Sequence, residues 1–172
     1  PSAVASTAQL TVKQVVAGAR CTLIIDADSA IWITGQLRFP NGPQSTTFTR
    51  VQFPDTPGRP SPRFISVSAC RHVLAVTTDG SLYSWGEGRR GQLGHGSTEN
   101  KDVPQLVQKL QGVPIISAAA GSSTSLALAR TGEVWSWGAG RTLGHGGNDE
   151  SQQLVPRVIG RLGTNAPIRW VA

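Results

Sequence analysis

An all-β chain of three repeated units, each a small four-stranded antiparallel sheet, is what this sequence predicts. Two observations carry the expectation. Three stretches superpose without gaps, Cys21 to Gly35, His72 to Gly86 and Thr124 to Gly138, at offsets of 51 and then 52 residues. Each of them reads as an apolar alternation, a turn signal and a second alternation ending in Gly. Alternation at period two is the pattern of a strand, and no run of ten or more residues keeps a helical period. With echoes on either side of each hairpin, a unit holds about four strands in roughly 50 residues, the dimension of a β-propeller blade. One such sheet cannot bury both of its faces, so the units must stack on one another.

Taken in order, the first unit spans 13–63 and is degenerate. It opens on Lys13 to Gly18 and keeps Trp32 and Gly35, but no Leu-Gly-His-Gly follows. Pro40 to Arg63 intervenes instead, a Pro-rich stretch expected to be an irregular insertion. The second unit, 64–113, opens on Phe64 to Ala69. Leu74 and Val76 then alternate with Ala75 and Thr77, Asp79-Gly80 makes the turn, and Leu82, Tyr83 and Trp85 lead to Gly86. Asp-Gly between alternating apolar runs is a strong hairpin signal. The third unit, 114–166, repeats the plan with Thr131-Gly132 at its turn. Its loop Gly138 to Gly146 is two residues shorter than Gly86 to Gly96, and places Gly144 opposite Gly94. Val103 to Leu110 and Val155 to Leu162 match as outer strands, and 167–172 reads as the start of a further blade.

Composition narrows the class. Of 172 residues, 38% are hydrophobic and 15% charged, with 20 Gly and 11 Pro, a globular and turn-rich profile rather than a disordered one. No apolar stretch of about 18 residues is present, so no membrane span is expected. The chain opens on Pro1, without an initiator Met or the apolar core of a signal peptide, which suits a processed product or part of a longer protein. Cys21 and Cys70 are too few for a disulfide scaffold. Reduced thiols in an intracellular protein, cytoplasmic or nuclear, are expected. Net charge is +6 and thirteen of the sixteen basic residues are Arg, which favours acidic partners. There is no Lys/Arg run, so the fold must assemble that charge.

Few residues point to chemistry. Gly86 to Gly91 has the form Gly-x-Gly-x-x-Gly, but no helix or βαβ unit follows to receive a pyrophosphate, so no cofactor is expected. His95 and His145, even with Cys21, Cys70 and His72, lack metal-ligand spacing, and no metal site is expected. Ser122, Ser123 and Ser125 form no nucleophile elbow, no acidic pair stands out, and no catalytic residue is assigned. The arginines offer more. Strands of a blade alternate up and down, so the turns after the first and third strands open on one face. That face receives Arg20, Arg71, Arg89, Arg90 and Arg141, against Glu87; the other receives Asp28, Asp79 and Glu133, against Arg130. Arg pairs bidentately with carboxylate or phosphate, which makes the five arginines the expected binding residues.

His72 to Thr77, Asp79-Gly80, Leu82 to Gly86 and Gly91 to Gly96 together resemble the regulator of chromosome condensation repeat family. The likeness covers the second and third units nearly end to end. It implies that Gly80, Trp85, Gly86, Gly94, Gly132, Trp137, Gly138 and Gly144 are structural repeat residues. The family's Gly-x-x-His turn is broken here, its His position holding Cys21, His72 and Thr124. Light-sensing relatives use a Trp within Gly-Trp-Arg-His-Thr, and the matching Ala69-Cys70-Arg71-His72-Val73 has none. The resemblance further implies a seven-bladed propeller, three blades being present and the remaining blades coming from the same parent protein. It implies three roles, ranked: a protein-interaction scaffold in a larger protein, such as a HECT-type ubiquitin ligase or a ciliary GTPase regulator; a guanine-nucleotide exchange factor for a Ran-type small GTPase, docked on the acidic surface of the nucleosome; and a propeller inhibitor of an enzyme. Exchange in that family depends on loops around a complete ring, so no exchange residue is carried over.

Overall fold

The computed structural model describes residues 11–37, 44–54, 61–140, 143–146 and 152–159. Its strands form three separate four-stranded sheets, each an antiparallel meander in chain order. The first holds β1 (Val12–Ala17), β2 (Cys21–Asp26), β3 (Ile31–Gln36) and β4 (Gln44–Arg50). The second holds β5 (Phe64–Ala69), β6 (His72–Thr77), β7 (Leu82–Gly86) and β8 (Lys101–Leu106). The third holds β9 (Ile115–Ala120), β10 (Thr124–Ala129), β11 (Val134–Gly138) and β12 (Gln153–Val158). A 3-10 turn, Gln108–Leu110, lies between the second and third. Among the described residues no helix is long and apolar enough to cross a membrane. Residues 167–172, read as the start of a further blade, lie outside the described residues.

One difference from expectation falls in Pro40 to Arg63. That stretch is not wholly irregular, because β4 lies inside it. Thr46, Thr47, Phe48 and Thr49 are β-branched or aromatic residues that favour a pleated surface, and the outer edge of β3 gives them a partner, with Ile33 paired to Thr49 and Trp32 to Arg50. Local Pro content hid a strand that the neighbouring edge selects.

The middle blade is buried from both sides, as stacking demands. All six residues of β6 are buried. Val73 and Ala75 face the first blade and pack with Leu23, Ile25, Ile31, Phe64 and Trp85. Leu74 and Val76 face the third and pack with Leu82, Leu110, Ile115, Ala127 and Trp137. Two apolar faces on one strand are why Val73 to Val76 are apolar without a break.

Polar contacts also cross the seams. The Gln14 amide meets the backbone of Val67, accepting from its N–H at 3.0 Å and donating to its carbonyl at 3.2 Å. Ser68 accepts from the Ala120 N–H at 3.0 Å. Where the Pro-rich segment crosses the first seam, Phe53 stacks on Phe64 with centroids 4.7 Å apart and meets Tyr83 and Trp85 edge-on.

The hairpin turns show what degeneracy does. Gly80 and Gly132 sit at φ of 83° and 89°. The equivalent residue of the first blade is Ser29, held at φ 64°. A side chain in this left-handed region is disfavoured. Here the turn is closed by Asp26, whose carboxylate accepts from the Ala30 N–H (2.9 Å) and the Trp32 indole N–H (2.7 Å). Burial alone would raise the Asp26 pKa. These bonds, with the nearby Arg50 charge, outweigh it and hold the carboxyl below its ordinary value.

Candidate interaction face

The meander topology sends the β1–β2, β5–β6 and β9–β10 turns, and the β3–β4, β7–β8 and β11–β12 loops, to one face. Arg20 and Arg71 occupy the first two turns, and Arg89 and Arg90 the β7–β8 loop. Arg20, Arg89 and Arg90 are exposed and Arg71 is half-buried. Arg141 lies outside the described residues. Backbone bonds fix these turns: Ala19 N–H donates to the Cys70 carbonyl (2.9 Å), Gln36 N–H to that of Arg20 (2.9 Å) and Glu87 N–H to that of Arg71 (3.2 Å). The first and second blades thus present Arg20 and Arg71 on adjoining turns. Cys21 and Cys70 stand beside them as free thiols. Among the described residues the only ion pair is Lys101 to Glu99, 2.9 Å apart at the loop's outer end, so the four arginines are not neutralised there.

The opposite face is mixed rather than acidic. Asp79 is engaged by Thr77 Oγ1 and by the Ser81 N–H, and Glu133 accepts from Thr131. Lys13 reaches the Ala27 carbonyl on this side at 2.6 Å, and Arg50 and Arg63 border a hollow there with Asp28. Sequence spacing placed the turn acids but not the cations that arrive from strand ends and connectors.

The arginine loop between β7 and β8 is rigid because it is built into the seam. Ser84 Oγ donates to the Leu93 carbonyl (2.7 Å), and His95 Nε2 lies 2.9 Å from the same hydroxyl. That hydroxyl spends its proton on the carbonyl, so His95 Nε2–H is the donor to it. Ser136, Leu143 and His145 repeat the arrangement in the third blade at 2.6 and 3.0 Å. The turn histidines are therefore loop clasps, and among the described residues no group of three or more His, Cys, Asp or Glu could hold a metal.

A second relay crosses to the next blade. The Gln92 carbonyl accepts from Ser125 Oγ (2.7 Å) and from the Trp137 indole N–H (2.8 Å). His72 Nε2 lies 2.7 Å from Ser125 Oγ and must donate to it, which leaves buried Nδ1 bare and without a partner. His72 is 0% exposed, and that burial pushes its pKa down to about 3. Gln92 Oε1 in turn accepts from the Arg90 N–H at 2.8 Å. So the backbone of one arginine is held by a residue that the third blade clamps. Sequence reasoning passed over Gln92 and weighed Ser125 only as a nucleophile, because their partners lie 33 to 53 residues away and no local motif marks this role.

Gly94 sits under this clamp with φ 78°. A Cβ added there would lie 2.8 Å from Trp137 Nε1 and 3.1 Å from its Cδ1. The indole is locked by its bond to Gln92, so it cannot move aside. Gly94→Ala should therefore cost at least the ~1–3 kcal/mol of a non-Gly residue at such φ. Urea unfolding of the complete protein should register it, and a loss under 0.5 kcal/mol would contradict this packing.

The Ser-Trp-Gly strand and Gly-Gln-Leu-Gly loop of the second blade lie inside a matched repeat. The regulator of chromosome condensation (RCC1) repeat matches residues 79–128, and a second form of that repeat matches 64–92. Residues 64–128 thus carry RCC1-type repeats. It is 46% identical over 94 residues to the human E3 ubiquitin-protein ligase HERC2, covering 54% of this chain and 2% of the ligase. It is 37% identical over 108 residues to human Protein RCC2, covering 63% of this chain and 20% of that protein. The crystal structure of Prp20p from Saccharomyces cerevisiae, described together with its binding properties to Gsp1p and histones, superposes with a TM-score of 0.75 at 26% identity over 89% of this chain and 39% of Prp20p. The chain is thus an all-β RCC1-type propeller segment that spans a minor part of each relative. Trp85 and Trp137 stand at equivalent positions, and the first blade holds Thr34 there. Its Trp32 instead falls on the position of Tyr83 and Trp135, where the indole serves the hairpin turn. Degeneracy of the first repeat is thus a change in what its tryptophan does.

Proposed function

We propose that this RCC1-type segment works as a protein-interaction scaffold, and that Arg20, Arg71, Arg89, Arg90 and Arg141 form the face that docks an acidic protein surface. The single observation behind the reading is that the described arginines stand on adjoining loops of one face without ion-pair partners among the described residues, while Gln92 and the Trp137 clamp hold Arg90's loop in place. A loop whose backbone is held this way loses less entropy when its guanidinium groups pair with carboxylates. The acidic surface of the nucleosome and that of a Ran-type small GTPase are the partners of this chemistry to test first.

The double variant Arg89→Glu/Arg90→Glu, made in the complete protein, should weaken nucleosome binding at least tenfold at low salt. The deficit should shrink as salt rises, because screening removes the interaction that was reversed. Both residues are exposed, so circular dichroism and melting should not change. Equal affinity of the two proteins across the salt series would refute the arginine face.

A second reading has one specific support, the likeness to Prp20p over 89% of the chain. On it, the complete protein is a guanine-nucleotide exchange factor for a Ran-type GTPase. Acceleration of GDP release by several orders of magnitude would establish exchange. No acceleration by a folded, monodisperse protein would leave the scaffold reading alone. The third role, an enzyme inhibitor, has no observation in its favour.

A further inference from the structure

The connector between the first two blades carries Ser61-Pro62-Arg63, an exposed serine followed by proline and then by an exposed arginine. It belongs to no strand, and its backbone is anchored only from Arg63 onward. The Thr78 N–H donates to the Arg63 carbonyl (2.8 Å), and the Phe64 N–H to that of Ser29 (2.9 Å). Ser61 borders one surface hollow with Arg50, Arg63 and Asp28. Arg50 ends β4 and Arg63 leads into β5, so two separate elements bring their cations to the hollow that Ser61 borders. Neither arginine has an ion-pair partner among the described residues.

We propose that Ser61 is a phosphoacceptor for a proline-directed, ATP-dependent protein kinase, and that Arg50 and Arg63 hold the resulting phosphate. In the transfer, the γ-phosphoryl group of ATP bonds to Ser61 Oγ, the hydroxyl proton passes to the kinase's base and ADP leaves. A segment outside any strand, with its serine exposed, can enter a kinase cleft without unfolding a blade. The product carries about −1.5 to −2 charge and three acceptor oxygens, the ligand that a guanidinium fork pairs with best. Asp28 in the hollow and Asp26 beside Arg50 oppose it, while Lys13, which reaches Ser29 Oγ at 3.4 Å, adds a third cation on the same side. The phosphate would pin the connector to the end of the first blade, on the face opposite Arg89 and Arg90. This inference is therefore independent of the docking surface.

The test treats the complete protein with a proline-directed serine/threonine kinase and Mg-ATP, maps the modification by mass spectrometry, and titrates the phosphoserine by phosphorus NMR. Incorporation at Ser61 is expected, absent in Ser61→Ala. The phosphoserine's second pKa should lie about half a pH unit or more below the ordinary value near 6, because the arginines favour the dianion. Arg50→Gln should leave incorporation intact, since Arg50 lies on β4 outside the Ser61-Pro62-Arg63 segment, and should shrink the shift to the part that Arg63 alone sustains. Arg50→Lys serves the same purpose should the Gln variant fold poorly, and is expected to retain part of the shift. No incorporation at Ser61 would overturn the site. Incorporation with an ordinary titration, or one indifferent to Arg50, would overturn the cradle.

Discussion

Trp137→Ala should destabilise the complete protein by about 3–5 kcal/mol, the range for removing a buried Trp side chain from a core. The side chain is 0% exposed and lies in the second seam with Leu74, Leu82, Ala118 and Ala127. Its indole N–H is also one of the two donors to the Gln92 carbonyl. Truncation thus opens a cavity between blades and loosens the loop that carries Arg89 and Arg90. Trp137→Phe separates the two effects. It keeps most of the ring and loses only the N–H, which should cost about 1–2 kcal/mol. Chemical denaturation of the three proteins measures both numbers. A loss below 1 kcal/mol for the alanine variant would mean that the blades are held together elsewhere. In a docking assay the alanine variant should also bind more weakly under conditions where it remains folded, because the arginine loop has lost its clamp.

Acid should weaken the same seam through His72. Its pKa falls from 6.5 when unfolded to about 3 when buried between blades. With the folded pKa depressed, the unfolded chain binds the extra proton below pH 6.5. Stability is fully present above that pH and drains away as pH falls toward about 3. The slope approaches one proton, about 1.4 kcal/mol per pH unit. Between pH 6.5 and 4.5 the loss assignable to His72 should be about 2 kcal/mol. This window lies above the range where Asp26 and Asp79 titrate, since both are held below the ordinary carboxylate value. Their protonation destabilises only at lower pH. His72→Gln keeps an N–H donor for Ser125 and removes the titration. The difference in stability between wild type and variant should shrink or reverse on acidification. Parallel pH profiles of the two proteins would show that the imidazole is not the group responsible.

How legible was this protein in its sequence? The three hairpins, their turns at Asp79-Gly80 and Thr131-Gly132, and the repeat spacing were all readable, because each rests on residues within a few positions of one another. Period-two alternation, a Gly that accepts positive φ and an aromatic-Gly strand end are local physics. The placement of Arg20, Arg71, Arg89 and Arg90 on one face followed from the up-and-down order of strands alone. The strand β4 was lost among prolines, since its formation depends on the free edge of β3 rather than on local preference.

What the sequence by itself determined is the hairpin at the centre of each blade, its turn positions and which turns share a face. What only the tertiary structure decided is how blades join. His72, Gln92, Ser125 and Trp137 meet across a seam, Phe53 fills the other seam, and Arg50 comes to border the same hollow as Ser61 from a separate strand. The reason is that a sheet's hydrogen bonds are local and periodic, and leave a signature in the order of residues. Packing between sheets is satisfied by any side chains of the right size and polarity that stacking brings together, and linear order does not record which ones meet.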